Sequence, residues 1–169
     1  KTNIKCKLHR KFYGIVKTST ISITPTGKYY ISILVQLDET IPNKKTINEN
    51  QAIGIDLGIK TFAVLSNGIE IENPKYLRKS INKLKKLQRK VSKKTKGSNN
   101  RLKMIKQLAI LHEKVSNKRN DFLHKTSHYL VTNYDTLCLE TLKASNMVKN
   151  HKLAQALSDI AIGNFNNMI

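Results

Sequence analysis

Alternating apolar and polar residues dominate the first third of the chain and predict β-structure. Residues 4–8 alternate in this way, as in a strand with one exposed face. Two runs rich in Thr, Ile, Tyr and Val, residues 17–24 and 29–37, flank a Pro-Thr-Gly-Lys turn sequence at residues 25–28. Because Pro fixes φ and Gly accepts positive φ in such turns, the two runs are predicted to form a β-hairpin.

A second set of strands follows a polar stretch at residues 38–50. Residues 52–57 form a near-continuous apolar run, which predicts a strand buried on both faces. Residues 61–66 and 68–72 predict two further strands, because Asn67-Gly68 between them is a strong signal for a tight hairpin turn. Three strands in meander order are therefore expected before any helix.

Two apolar stripes at helical spacing predict an antiparallel helical hairpin over residues 75–131. The first stripe runs from Leu77 to Val91 in steps of four and three residues, and the second runs from Leu102 to Leu130. A short polar run separates them and predicts the loop. A short apolar run at residues 136–142 then predicts a fourth strand, and a last helix is expected from about His151.

Basic residues concentrate in this hairpin. The 169 residues contain 31 Lys and Arg against 11 Asp and Glu, a formal net charge of +20. Residues 75–125 hold 18 of the basic residues and two acidic ones, so few intrahelical ion pairs can form. A solvated helical face is the simpler alternative, but unpaired like charges repel one another and favour a bound polyanion. The residues predicted to bind nucleic acid are Arg78, Lys79, Lys83, Lys86, Arg89, Lys90, Lys93, Lys94, Arg101, Lys118 and Arg119.

Membrane association is disfavoured, because no apolar run approaches the roughly 20 residues that a bilayer span needs. Cys6 and Cys138 lie far apart and are expected to be buried, reduced thiols. The N-terminus lacks the apolar core of a signal peptide, so a cytoplasmic, nucleoid-associated location in a bacterium or archaeon is predicted.

The chain begins at Lys1 and ends within an apolar-periodic stretch, which suggests a piece of a longer protein. No oligomeric state is indicated.

Asp56 and Glu140 are the candidate catalytic and metal-binding residues. Asp56 stands among apolar residues in the run Gly-Ile-Asp-Leu-Gly, and Glu140 lies near the end of the fourth predicted strand. The predicted element order matches the start of the RNase H-like fold, in which the first and fourth strands are parallel neighbours. Two close carboxylates repel each other, and a pair of Mg²⁺ or Mn²⁺ ions would relieve that repulsion and serve phosphodiester chemistry.

Alternatives remain for both acids. Asp followed two residues later by Gly is common in turns, and a Glu at a strand end is often a surface residue. A similar Gly-Ile-Asp-Leu-Gly strand opens the actin-like sugar kinases and heat-shock ATPases, where the Asp serves Mg-ATP. Those chains are not strongly basic, which favours the nuclease interpretation here.

Several segments in order resemble the OrfB/TnpB family of bacterial insertion sequences: GIDLGIKTFAVLSNG, ENPKYLRKSINKLKKLQRKVSKKTKGSNN, LHEKVSNKRNDFLHKTSHYLV, LCLETL and NHKLAQALSDIAIGNF. The resemblance implies a transposon-encoded, RNA-guided DNA endonuclease whose RuvC-type nuclease cuts DNA with Mg²⁺. DNA target and guide RNA are the implied partners. Asp56 matches the family's first catalytic aspartate and Glu140 its catalytic glutamate. Residues 1–47 are similar to the last strands of the wedge β-barrel that holds guide RNA.

The chain departs from the family pattern after the last predicted helix. Family members continue with a zinc ribbon of paired CxxC motifs and a third catalytic aspartate, and neither is present in this sequence. Asp159 is the one acid in the last predicted helix; a surface or helix-capping role is expected for it rather than metal binding. This chain alone is therefore expected to be inactive, with zinc only in the absent ribbon.

The overall expectation is an α/β fold in two domains. Residues 1–47 would be the terminal strands of the wedge-like barrel, and residues 48–169 an incomplete RNase H-like (RuvC) domain with a mixed sheet and the inserted helical hairpin. The alternative function is a non-catalytic, basic RNA- or DNA-binding module from a decayed or split transposase.

Overall fold

The chain divides into two compact units, Lys1–Lys45 and Thr46–Ile169. The computed structural model describes residues 5–38, 40, 46–140, 159 and 161–169. Within these residues, no helix is long and apolar enough to cross a membrane.

The first unit contains one antiparallel β-hairpin. Strands β1 (Ile15–Ile23) and β2 (Tyr29–Gln36) pair with Ile23 opposite Tyr29 at the turn. Gly27 has a φ of +85°, and Thr24 N donates a hydrogen bond of 2.9 Å to Lys28 O, which closes the turn. The predicted hairpin is confirmed. The strand predicted over residues 4–8 is wrong for the described residues 5–8, which have no regular structure. Alternation marks one face of a strand, but a strand also needs a hydrogen-bonding neighbour.

The second unit is built on a four-stranded mixed sheet. Its strands are β3 (Ala52–Leu57), β4 (Thr61–Leu65), β5 (Glu70–Glu72) and β6 (Thr136–Leu139), in the order β5-β4-β3-β6. The first three pair antiparallel as a meander, and β6 pairs parallel with β3. This confirms the predicted mixed sheet of an α/β protein. A single 3₁₀ turn, Glu49–Gln51, leads into β3.

Strand β3 shows why the sheet has two different faces. Ile53, Ile55 and Leu57 are buried, whereas Gly54 is half-buried and Asp56 is exposed. The prediction that β3 is buried on both faces is therefore wrong, because the apolar run includes a glycine and an acid on alternate positions. The apolar face packs into the core, and the other face presents Asp56.

Two long helices follow β5. Helix α1 (Tyr76–Ser92) and helix α2 (Asn99–Asn133) pack against each other as the predicted antiparallel hairpin. Gly97 has a φ of +79° in the loop, and Ser98 caps α2 because its Oγ accepts a hydrogen bond of 3.2 Å from Arg101 N. A short helix, α3 (Ile162–Asn166), lies near the end of the chain.

One hydrophobic core joins the sheet to α2 and α3. Phe62 of β4 is 1% exposed and packs edge-to-face against two rings, Phe122 of α2 at 4.9 Å and Phe165 of α3 at 5.1 Å between centroids. Leu123 and Leu130 of α2 are buried in the same cluster. The helical hairpin is thus anchored to the sheet through the C-terminal half of α2.

Cys6 and Cys138 are both exposed, so the predicted burial of the thiols is wrong. The side chain of Cys138 points away from those of Leu137 and Leu139, toward the exposed face of β6. The predicted last residues of the fourth strand, 141–142, and most of the helix predicted from His151 lie outside the described residues.

Candidate functional site

The parallel pairing of β3 with β6 brings the two predicted catalytic acids to adjacent positions. Gly54 pairs with Cys138 and Ile55 with Leu139. Continuing this register by one residue places Asp56 beside Glu140. Because neighbouring strands lie about 4.8 Å apart, the two carboxylates occupy one small region at the end of the pair.

Both acids lie on the exposed face of the sheet. Partners in a strand pair point to the same side, and Asp56, Cys138 and Glu140 are all exposed. On its other side Asp56 pairs with Val64, which in turn pairs with Glu70. Glu70 is thus two strands from Asp56, about 10 Å away, while Glu140 is on the next strand. The sheet singles out Glu140 as the acid nearest to Asp56 across the strands.

The chemistry of this pair suits a hard divalent cation. Mg²⁺ prefers carboxylate oxygens, keeps several waters and often takes further ligands from a substrate phosphate, so two exposed carboxylates fit its requirements. Among the described residues, no group of three or more His, Cys, Asp or Glu side chains is arranged to hold a metal. A metal ion at this pair would therefore take two ligands from the described residues and leave its other positions open.

Two glycines flank Asp56 and support its strand in different ways. Gly54 N donates a hydrogen bond of 3.1 Å to the Ser66 Oγ, and Ser66 N donates one of 2.9 Å to Gly54 O. A Cβ on Gly58 would lie 2.9 Å from the Thr61 carbonyl oxygen, which is too close for any side chain. Gly58 is thus required by the tight turn between β3 and β4, independently of any ligand.

The basic hairpin displays most of its predicted binding residues to solvent. Nine of the eleven are exposed: Arg78, Lys79, Lys83, Lys86, Arg89, Lys90, Lys93, Lys94 and Lys118. On α1, a lysine stripe consisting of Lys79, Lys83, Lys86 and Lys90 recurs at helical spacing and extends over about 16 Å of the helix.

The lysine stripe leads to a concave tip. A shallow depression of about 480 Å³ at the end of the hairpin is lined by Lys90, Lys93, Lys94, Asn100, Lys103 and Met104. Lys103, on α2, is absent from the predicted set. The depression is formed across two helices, so no local pattern could have singled out Lys103.

The other two predicted binding residues have partners or neighbours inside the protein. Arg101 Nη1 donates hydrogen bonds to Val91 O at 3.1 Å and Lys94 O at 3.2 Å, which closes the C-terminal end of α1. Arg119 is half-buried and lines a small interior cavity together with Asp159. Their positions indicate structural roles.

Acidic residues do little to neutralise the hairpin. Asp121 is paired with Lys125 at 2.8 Å, one helical turn away, and both side chains are exposed. The hydrogen bond from the lysine to Asp121 and the charge of that carboxylate raise the pKa of Lys125.

Asp159 caps a helix from a distant part of the chain. Its Oδ1 accepts a hydrogen bond of 2.8 Å from Leu77 N, and its Oδ2 accepts one of 3.0 Å from Arg78 N. The side chain is buried, at 8% exposure. The expected capping role is confirmed, whereas the surface role is wrong, and Asp159 forms no metal-binding group with the other described acids.

Comparison with known proteins places the chain in a family. Residues 32–151 match the OrfB_IS605 family, described as "Probable transposase", and the chain belongs to this family. This confirms the resemblance drawn from the sequence motifs.

Named relatives agree with this membership. The chain is 40% identical over 152 residues to a Streptomyces pristinaespiralis protein named "Putative RNA-guided DNA endonuclease", covering 90% of this chain and 37% of the relative. It is 36% identical over 141 residues to "Putative RNA-guided DNA endonuclease InsQ" of Escherichia coli (strain K12), covering 83% and 34%. It is 26% identical over 152 residues to "TnpB-like protein L770" of Acanthamoeba polyphaga mimivirus, covering 85% and 29%. The chain thus spans about a third of the length of these relatives.

Proposed function

We propose that this chain forms the nuclease-bearing part of a transposon-associated, TnpB-like RNA-guided DNA endonuclease. In this proposal Asp56 and Glu140 are catalytic residues for phosphodiester hydrolysis. The observation that carries it is the parallel register of β3 and β6, which sets the two acids side by side on the exposed face of the sheet.

The strand order supports an RNase H-like (RuvC-type) core. Three antiparallel strands, a helical insertion and a fourth strand parallel to the first follow one another along the chain. In the RNase H-like fold the first and fourth strands are likewise parallel neighbours, and the acids on them form the active centre. The topology therefore supports the proposed roles of Asp56 and Glu140, because both acids lie on the two strands that carry the active centre in that fold.

The chemistry proposed for the site depends on metal. Asp56 and Glu140 would hold Mg²⁺ or Mn²⁺ ions, which supply charge stabilisation to the attacking and leaving oxygens of an in-line displacement. The buried Ile55 and Leu57 on either side fix the backbone at Asp56, so its side chain leaves the strand on the exposed face. Exposure of both acids leaves room for a phosphodiester backbone to approach.

The basic hairpin is proposed to hold nucleic acid next to this site. The lysine stripe and the tip depression present a continuous cationic surface, with Arg78, Arg89 and Lys118 also exposed. Phosphate contacts from such side chains release condensed counterions, so affinity should fall steeply with salt. Target DNA and guide RNA are the proposed partners, in line with the names of the two bacterial relatives.

The first unit is proposed to belong to a wedge-like β-barrel that contacts guide RNA. All residues of β1 are exposed, and its apolar side chains include Ile15, Val16, Ile21 and Ile23. A strand pair with so much exposed apolar surface is typical of part of a larger sheet. The domains proposed are residues 1–47 and 48–169.

A second candidate is a nucleic-acid-binding module without catalysis. It is favoured by the two-residue size of the acid site in the described part of the chain. The family's third catalytic aspartate would have to come from outside this sequence. The two candidates differ in whether Asp56 matters for cleavage.

The test is guide-dependent cleavage by the complete gene product in Mg²⁺, with the variants Asp56→Asn and Glu140→Gln. Both variants are expected to abolish cleavage while changing nucleic-acid affinity little, since the affinity is expected to come from Lys and Arg side chains that neutralise phosphates. The control is Glu70→Gln, which removes an acid from the same face of the sheet and should retain cleavage. Full cleavage by Asp56→Asn would leave the binding module as the better account.

A further inference from the structure

We infer that Asp159 is a positioning residue that pins the first turn of α1 and thereby sets where the lysine stripe lies relative to Asp56 and Glu140. The functional half of this inference rests on the proposed nuclease function. The structural half, the fixing of α1, does not depend on it.

Helix α1 depends on a remote carboxylate for its N-terminal cap. Lys75 precedes the helix with a φ of +50° and makes no side-chain cap hydrogen bond to the described residues. The first turn contains no acidic residue. Asp159, 82 and 81 residues away from Leu77 and Arg78, uses both carboxylate oxygens to accept their amide protons. A buried anion bonded in this way is strongly held by the positive end of the helix dipole.

Along its length α1 is fixed by packing against α2, which leaves Leu77, Ile81, Leu87 and Val91 half-buried. All of its residues are described, and Leu84 is the one that is buried, whereas α2 buries five. Its dense positive charge works against packing, because the lysines repel one another. Hydrogen bonds from other parts of the chain add to this packing at both ends of α1, from Asp159 at the start and from Arg101 at the finish.

The start of α1 is tied at the same place to the turn beside Asp56. Asn73 Oδ1 accepts a hydrogen bond of 3.0 Å from Lys75 N, and Asn73 Nδ2 donates one of 2.8 Å to Ile59 O. Ile59 follows Asp56 by three residues, in the turn between β3 and β4. Asn73 thus joins the helix start to the turn between β3 and β4. Asp159 joins it to the C-terminal segment, whose Phe165 packs on Phe62 of the sheet.

The junction is also closely packed. The cavity bounded by Asn73, Tyr76, Arg119 and Asp159 has a volume of about 10 Å³. Such a space holds one water molecule at most, so the carboxylate cannot turn away to solvent without moving its neighbours. The carboxylate is therefore closely surrounded at the start of the hairpin.

Loss of the Asp159 carboxylate should therefore reduce cleavage and leave nucleic-acid binding nearly unchanged. Loss of the Asp159 cap frees the first turn of α1, and the lysine stripe shifts relative to the carboxylates. Nucleic acid still binds because the charges remain. The scissile phosphate is then misplaced, and a displacement of about 1 Å can reduce a rate by about a hundredfold.

The test compares Asp159→Asn and Asp159→Ala with Asp121→Asn. Asp121→Asn removes the same charge from an exposed ion pair on α2, so it controls for electrostatics. In this chain, with both native cysteines changed to serine, spin labels at Lys60→Cys and Asn82→Cys report the distance between the sheet and α1. A narrow distance distribution is expected for the parent and Asp121→Asn, and a broader one for the Asp159 variants, with Asp159→Asn intermediate.

A second arm measures cleavage rate and affinity separately in the complete gene product. The Asp159 variants are expected to lower the cleavage rate at saturating target by about tenfold to a hundredfold, with affinity nearly unchanged. An unchanged distance distribution in Asp159→Asn and Asp159→Ala would overturn the inference, as would cleavage at the parent rate. If Asp159→Ala does not fold, Asp159→Asn decides alone. Absence of cleavage in the parent would refute the proposed function while leaving the distance result to stand.

Discussion

Ile55 and Leu139 are partners in the parallel pairing of β3 with β6, and each is followed directly by an exposed carboxylate. Their side chains face the core, so the next residue on each strand faces the other way. This one register relationship converts two acids that are far apart in sequence into neighbours. A register shifted by one residue would place one of the acids in the core and separate the pair.

The turn beside Asp56 should be sensitive to a single methyl group. Gly58→Ala is expected to lower the free energy of unfolding by about 1–3 kcal/mol, because its Cβ would clash with the Thr61 carbonyl and the turn must move. Gly54→Ala is the matched control: its Cβ would meet Ser66 Cβ at 3.4 Å, so a change near zero is expected. Urea unfolding followed by circular dichroism measures both. Equal stability of the two variants would contradict the clash.

The anchoring of α2 to the sheet can be tested with two leucines on the same helix. Leu130 is 0% exposed and Leu102 is 57% exposed. Leu130→Ala is expected to cost about 2–5 kcal/mol through lost burial and a residual cavity. Leu102→Ala should cost less than about 0.5 kcal/mol. Thermal and urea unfolding provide the comparison, and a similar cost for both would show that the C-terminal half of α2 is not the anchor.

Substitutions of Arg101 and Arg89 should affect different properties, stability for Arg101 and nucleic-acid binding for Arg89, although the sequence predicts both to bind nucleic acid. Arg101→Gln removes the hydrogen bonds to Val91 O and Lys94 O and is expected to lower stability by about 1–2 kcal/mol, with an unchanged salt dependence of binding. Arg89→Gln should leave stability unchanged and reduce the salt slope by about 0.9 for duplex DNA. If Arg101→Gln instead reduced the salt slope and left the stability unchanged, Arg101 would be a nucleic-acid-binding residue.

The lysine stripe should dominate the salt dependence of binding. Replacing Lys83, Lys86 and Lys90 of the stripe, together with the neighbouring Arg89, by glutamine is expected to reduce the log–log salt slope by about three to four for a DNA duplex. The matched control replaces Lys11, Lys60, Lys106 and Lys114, which are exposed and outside the proposed surface. Fluorescence anisotropy between 50 and 200 mM salt, about the range over which such contacts weaken, measures both. Equal slopes in the two variants would mean that charge number, not position, determines binding.

Local signals explain how much of the fold could be predicted from the sequence. The bounds of β3 follow from a near-continuous apolar run, and the turn after β4 follows from Asn67-Gly68, where Gly68 has a φ of +86°. Helix α1 follows from the 3–4 spacing of its apolar residues. Asp56 could be identified because a lone carboxylate in such a run is unusual, and the order of elements then indicated Glu140.

The features that the sequence did not show depend on contacts between distant residues. Asp159 caps amides 81 and 82 residues earlier, and no local pattern encodes that pairing. Alternation groups Cys138 with the polar side of β6, but it does not say which side the core covers. Likewise, Arg101 has the composition of a binding residue, and its actual partners become evident only once the helices pack.

Metal ions should bind first at the Asp56–Glu140 pair. In ¹⁵N-labelled chain, substoichiometric Mn²⁺ should broaden the amide signals nearest Asp56 and Glu140 first, and Asp56→Asn should remove this effect while Glu70→Gln retains it. Broadening that is spread evenly over the exposed acids, or that persists in Asp56→Asn, would contradict a shared metal site at Asp56 and Glu140.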